Sequence, residues 1–202
     1  MSLVKLNARS ATALDATVLT GNLPAISGAS LTGVGGNTPS FLAYLTSSQT
    51  IANNTNVHIQ LNGEYFDTGG CYNNTSGTVT LNGVSAPAYS FAPNVAGKYF
   101  MACKGRNDTS TDGSGTTISL YKNGSIFTQV RDTLDNAEEM FVGVIMDLDG
   151  TDDYVQMYQY QNSGSSTVSN GASTFGSDQT IAFMMGYLIG GAWVILVLIV
   201  VL

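Results

Sequence analysis

Phe91-Ala-Pro-Asn-Val-Ala-Gly-Lys-Tyr-Phe-Met-Ala-Cys103 is a turn that runs directly into a strand. Pro93 and Asn94 interrupt any ladder, because proline has no N–H to give and asparagine favours turns. Gly97 reads as a turn position, where a Cβ would obstruct the backbone or force an unfavourable φ. Beyond it Tyr99, Met101 and Cys103 alternate with Lys98, Phe100 and Ala102, the period of a strand with one buried face.

Working outward, short alternating runs between turn clusters continue from residue 41 to 190. Strands are expected near 41–45, 57–61, 78–81, 88–91, 98–104, 116–121, 125–131, 139–146, 154–160 and 180–189. Lys122-Asn-Gly124 separates two of these runs and is the strongest hairpin signal, since both turn residues need positive φ. Residues 62–70, with Phe66-Asp-Thr-Gly-Gly70, read as a loop, and 132–139 is the one short helix candidate. About ten strands at eight-to-twelve-residue spacing predict an all-β jelly-roll sandwich. It would carry an extended N-terminal segment and an apolar C-terminal tail.

Composition agrees. Of 202 residues only 10% are charged, while 44% are hydrophobic and glycine is abundant, as in all-β extracellular or virion proteins. The net charge of −7 and the lack of a basic stripe exclude a nucleic-acid partner. Residues 1–10 are polar and mixed, so no secretory signal is read there; synthesis in a host cytoplasm and assembly into a particle are expected. Cys71, in a loop, and Cys103, on a strand, either pair or remain two buried thiols; the cysteine-poor composition favours thiols.

The chain divides into a lead at 1–36, a head at 37–190 and a tail at 191–202. The lead spaces single apolar residues (Leu19, Leu23, Ile26, Leu31) among small polar ones, too few to bury a core alone. It is either a linker or an attachment segment that orders on a partner.

Phe91, five residues, Gly97, one residue and Tyr99 resemble the signature of the complement-component-one-q globular head, the trimeric jelly roll related to tumour necrosis factor. Met101 and Cys103 stand where that signature carries aromatics. The resemblance continues in order through Leu120-Tyr-Lys-Asn-Gly124, which is similar to the family's central hairpin. Asp149-Gly-Thr-Asp-Asp-Tyr-Val-Gln-Met-Tyr158 and Phe183-Met-Met-Gly-Tyr-Leu-Ile-Gly190 are similar to a later strand opening and to the closing strand. It implies a homotrimer, and in some relatives calcium near the threefold axis. Separately, Leu23-Pro-Ala-Ile-Ser-Gly-Ala-Ser-Leu-Thr-Gly33 resembles N-terminal segments of bacteriophage tail-fibre and appendage proteins.

Chemistry for catalysis is sparse. His58 is the only histidine and lies within an apolar strand, where a structural role is the commoner one. No nucleophile elbow, phosphate loop or Cys/His metal spacing occurs, and no enzyme activity or cofactor is expected. Glycan hydrolysis by paired carboxylates leaves no spacing to read and stays as an alternative.

Asp147, Asp149, Asp152 and Asp153 form the one acidic cluster, which is a calcium candidate or a solvated inter-strand loop. Tyr154, Tyr158 and Tyr160 share one strand face opposite Val155, Met157 and Gln159, suiting a subunit interface, core packing or a sugar. Residues 181–202 carry no charge and read blindly as a membrane span, which supports a tail-anchored display protein as a second reading. If the closing strand takes its first part, the remainder, with Trp193, Val197 and Ile199, must be covered by sister subunits, another virion protein or lipid. The leading expectation is a phage fibre-like virion protein whose trimeric head contacts a host-surface glycan or protein, or neighbouring virion proteins.

Overall fold

A computed structural model describes residues 39–108, 114–134, 138–171 and 181–191. The attachment segment at 1–36 and the tail residues Trp193, Val197 and Ile199 lie outside the described residues.

Fifteen strands and no helix occur among the described residues. They are β1 (Ser40–Tyr44), β2 (Gln49–Ile51), β3 (Val57–His58), β4 (Gly63–Thr68), β5 (Tyr72–Asn73), β6 (Val79–Leu81), β7 (Val84–Ala86) and β8 (Ser90–Phe91). β9 (Gly97–Asp108), β10 (Ser114–Lys122), β11 (Ser125–Leu134), β12 (Glu138–Leu148), β13 (Val155–Gln161), β14 (Thr167–Ser169) and β15 (Phe183–Gly191) follow.

The large sheet runs β2-β14-β9-β15-β1-β4, with β12 on the other side of β9. The smaller sheet runs β11-β10-β13-β8-β5, with β3 beside β13, and β6–β7 is a separate hairpin. Every pairing is antiparallel and most neighbours are distant in sequence, as in a jelly roll.

The opening stretch builds the centre. Tyr99, Met101 and Cys103 point inward and are fully buried. The five-residue gap in the signature lets the chain turn from β8 to β9, so that Phe91 and Tyr99 meet with ring centroids 5.7 Å apart. Phe91 also stacks on Phe41 at 4.4 Å, and Phe41 on Tyr72 at 5.0 Å. The Tyr99 hydroxyl donates to the Val95 carbonyl at 2.6 Å, closing the intervening turn.

Gly97 opens β9 between Leu148 and Gly191, and it is not among the glycines with left-handed backbone. Positive φ and a close backbone approach coincide at Gly150. With φ of +74°, a Cβ there would stand 2.6 Å from the Ala96 nitrogen and 2.8 Å from the Val95 carbonyl carbon.

The Asn123-Gly124 turn has φ of 52° and 76°, as the hairpin reading requires, and Asn82-Gly83 repeats it at 49° and 86°. All ten expected strands are present. The expected loop at 62–70 contains β4, and the helix candidate at 132–139 is a correction: Asp132 and Leu134 belong to β11, Glu138 and Glu139 to β12. β15 takes Phe183–Gly191 into the large sheet, so that part of the proposed membrane span is a sheet strand.

Candidate functional site

The sandwich has two outer faces of different chemistry. On the large sheet, register places Phe66, Leu42, Met185, Ala102 and Gly143 in one row across β4, β1, β15, β9 and β12. The row on one side is Ser40, Tyr187, Phe100 and Ile145; on the other it is Tyr44, Phe183, Lys104 and Phe141. Phe141 is 56% exposed, Ile145 55% and Phe66 45%, so large apolar side chains stand in solvent along this face. Ion pairs flank it, Lys98 with Asp147 at 2.8 Å and Lys104 with Glu139 at 2.6 Å. β11 lies alongside β12 at one edge of the sandwich. A bulge opposite Leu120 and Tyr121 leaves Ile126 and Phe127 exposed there.

The small sheet's outer face is aromatic and polar. Tyr158 stacks on Tyr121 at 4.0 Å and on His58 at 5.0 Å, and Tyr89 meets His58 edge-on. The Tyr160 hydroxyl donates to Asn54 Oδ1 at 3.1 Å. Of the three tyrosines read from the sequence, Tyr158 and Tyr160 share this face, while Tyr154 packs on the small cluster of Val84, Ala86 and Ala92. Tyr121 and His58 join the row through strand pairing, Tyr121 opposite Gln156 and His58 opposite Tyr158. Burial lowers the His58 pKa, against a backbone hydrogen bond with Tyr89 that raises it. Its Nε2 is buried without a hydrogen-bond partner.

Of the acidic cluster, Asp149, Asp152 and Asp153 come within 4.8 Å of one another, whereas Asp147 pairs with Lys98. Asp149 accepts the backbone N–H groups of Thr151, Asp152 and Asp153 at 2.8, 3.2 and 3.3 Å. Those bonds, Thr151's first, hold its carboxyl well below the usual range. Asp153 accepts from the Lys122 ammonium at 2.9 Å, from Asn123 Nδ2 at 2.6 Å and from the Asp149 N–H at 2.8 Å. Calcium wants six to eight free oxygen donors. Here Asp149 Oδ1 and the two Asp153 oxygens are engaged by amides and an ammonium, an arrangement that clasps the β12–β13 loop.

Cys71 and Cys103 are free, buried thiols. Burial raises both pKa values, that of Cys103 far above the ordinary range. Cys71 Sγ lies 3.5 Å from the Gly69 carbonyl and 3.6 Å from Asn94 Oδ1, beside a shallow pocket lined by Pro39, Gly69, Asn82, Asn94 and Val95.

Two antiparallel sheets in this order make a jelly roll. The chain is similar to the globular domain of zebrafish complement 1qA protein, with a TM-score of 0.50 at 13% identity over 76% of this chain and 98% of that one. Eiger TNF from S. frugiperda matches with a TM-score of 0.49 at 9% identity over 76% and 95%. PRD1 vertex protein P5 matches with 0.44 at 12% over 77% and 100%. No protein-family model and no curated protein matches the sequence. At such identities the likeness describes the fold.

Proposed function

We propose that this chain is a structural virion protein, the head of a fibre-like appendage, which works as a homotrimer and contacts a host surface or neighbouring virion proteins. The observation that carries the trimer is the apolar outer face of the large sheet together with the apolar β11–β12 edge. Phe141 and Ile145 lie at that edge, and Phe66, Tyr44 and Tyr187 lie further across the face. Exposed apolar side chains grouped in this way mark contact surfaces. Edge-to-face contact is heterologous, and three copies close it into a ring that also hides two sheet edges.

The virion setting rests on the lead sequence at 23–33, whose likeness is to appendage attachment segments. The fold suits a displayed head, and neither acidic nor histidine chemistry favours catalysis.

Sedimentation of the full chain tests the trimer. The expected mass is three times the 21.1 kDa of one chain, falling to one chain for Phe141→Glu with Ile145→Glu. A stable wild-type monomer overturns the reading. Deleting residues 1–36 is expected to abolish particle incorporation and leave the trimer intact.

A further inference from the structure

We infer that Trp193 docks in the pocket lined by Pro39, Gly69, Asn82, Asn94 and Val95, which fastens the apolar tail to the head where β15 leaves it. The inference goes beyond the virion reading and does not depend on the trimer.

Strand pairing brings the two together. The Leu188 N–H donates to the Pro39 carbonyl at 3.1 Å, and Gly190 and Gly191 pair with Lys98 and Gly97. Walls of the pocket therefore flank the end of β15, Pro39 on the β1 side and Asn94 and Val95 on the β9 side. Continued for two residues, the same antiparallel register sets Trp193 opposite Val95. Two residues reach about 7 Å, so the first large side chain after β15 arrives at the pocket without an intervening loop. A side chain on so short a tether also has a high effective concentration there, which a sister chain or another protein has to outcompete.

The lining suits an indole. The pocket holds about 230 Å³, below the roughly 300–1,000 Å³ of clefts that take small-molecule ligands. No lining residue is charged, Pro39 and Val95 offer apolar surface, and Val95 is 38% exposed. Asn82 Nδ2 is engaged by the Gly69 and Gly70 carbonyls at 2.7 and 3.0 Å, so its remaining polar group is the acceptor Oδ1. Asn94 Oδ1 accepts only the long contact from the Cys71 thiol at 3.6 Å, and an amide oxygen has a second lone pair. Tryptophan brings an apolar ring with one N–H to donate.

The walls are fixed before the side chain arrives. Tyr99 ties the Val95 carbonyl at 2.6 Å, and Asn82 ties the backbone at Gly69 and Gly70. A site formed in advance loses little entropy on docking.

Trp193 is the sole tryptophan, so the fluorescence of the intact full chain reports on it alone. With no vesicles or other proteins present, its emission should be blue-shifted and its quenching by acrylamide several-fold weaker than in the urea-unfolded chain. Val95→Asp sets an unpaired charge in the wall and should restore most of the exposure. Circular dichroism should stay unchanged, because the Val95 side chain already meets solvent. Sedimentation mass is recorded alongside, which separates shielding by the pocket from shielding by a sister chain. Val95→Cys with Trp193→Cys gives an independent reading: mild oxidation should close a disulfide within one chain, seen on a non-reducing denaturing gel. An indole as exposed as in the unfolded chain overturns the inference. So does shielding that Val95→Asp leaves intact, shielding that falls with the sedimentation mass, or a disulfide that forms only between chains.

Discussion

Gly150 and Gly97 show how a single residue's role depends on its partner segment. Gly97 was legible as special because an aromatic strand follows it, whereas Gly150 was not, because the β12–β13 loop presses on residues 95 and 96 and that approach is non-local. Gly150→Ala should cost more than about 2 kcal/mol, through strain at positive φ and contact with backbone that cannot yield. The denaturant midpoint of the variant decides it; an unchanged midpoint would mean that the Gly150 contact relaxes freely.

His58 offers a second test at this scale. Burial holds its pKa below the ordinary histidine value of 6.5, so the folded chain keeps it neutral after the unfolded chain has taken up a proton. The rings of Tyr158 and Tyr89 contact it, and no carboxylate among the described ring and hydrogen-bond partners would stabilise the cation. Its contribution is therefore complete above pH 6.5 and declines as pH falls from there towards the lowered folded value. The melting temperature should drop between pH 7.5 and 5.5, and His58→Phe should flatten that drop. An unchanged slope in the variant would assign the pH dependence to other groups.

Among the elements, β9, β10 and β13 were readable because each alternates over seven or more residues with one face in the core. β2, β5, β7 and β14 have two or three residues each, too few to display a period. β4 hid for a different reason: Tyr65 and Phe66 are both exposed, and the bulge between Leu42 and Ala43 breaks its alternation. Within the helix candidate, residues 132–134 and 138–139 are taken by strand pairing, a tertiary preference that local propensity does not contain.

Of the β6–β7 hairpin only β6 was read from the sequence, although Asn82-Gly83 marks the turn into β7. Its tether is Asn73, nearly fully buried, whose Nδ2 donates to the carbonyls of Gly77, Ala86 and Pro87 at 2.7, 2.9 and 2.8 Å. Asn73→Ala would leave buried carbonyls unpaired and should cost about 2–3 kcal/mol. Hydrogen exchange should rise first within residues 79–86; uniform destabilisation without that local signature would show that the hairpin holds by packing alone.

For the whole molecule, the question is which force would hold the copies of the proposed trimer together. The sequence made the outward set on β9 legible by alternation alone, Lys98, Phe100 and Ala102. It could not show that Leu42, Met185 and Phe66 share a row with Ala102, since that depends on the order β4-β1-β15-β9. Once assembled, the face is apolar across its middle, and its ion pairs, Lys98–Asp147 and Lys104–Glu139, are satisfied within one chain. Association through it should therefore resist salt, because screening weakens exposed charge pairs and leaves apolar burial intact or stronger. The trimer is expected to keep its sedimentation mass in 1 M NaCl on dilution, whereas Met185→Asp, which buries an unpaired charge in the contact, dissociates it at low salt. A trimer that comes apart as salt rises would place the binding energy in charged pairs between chains, and the apolar face would then need another occupant.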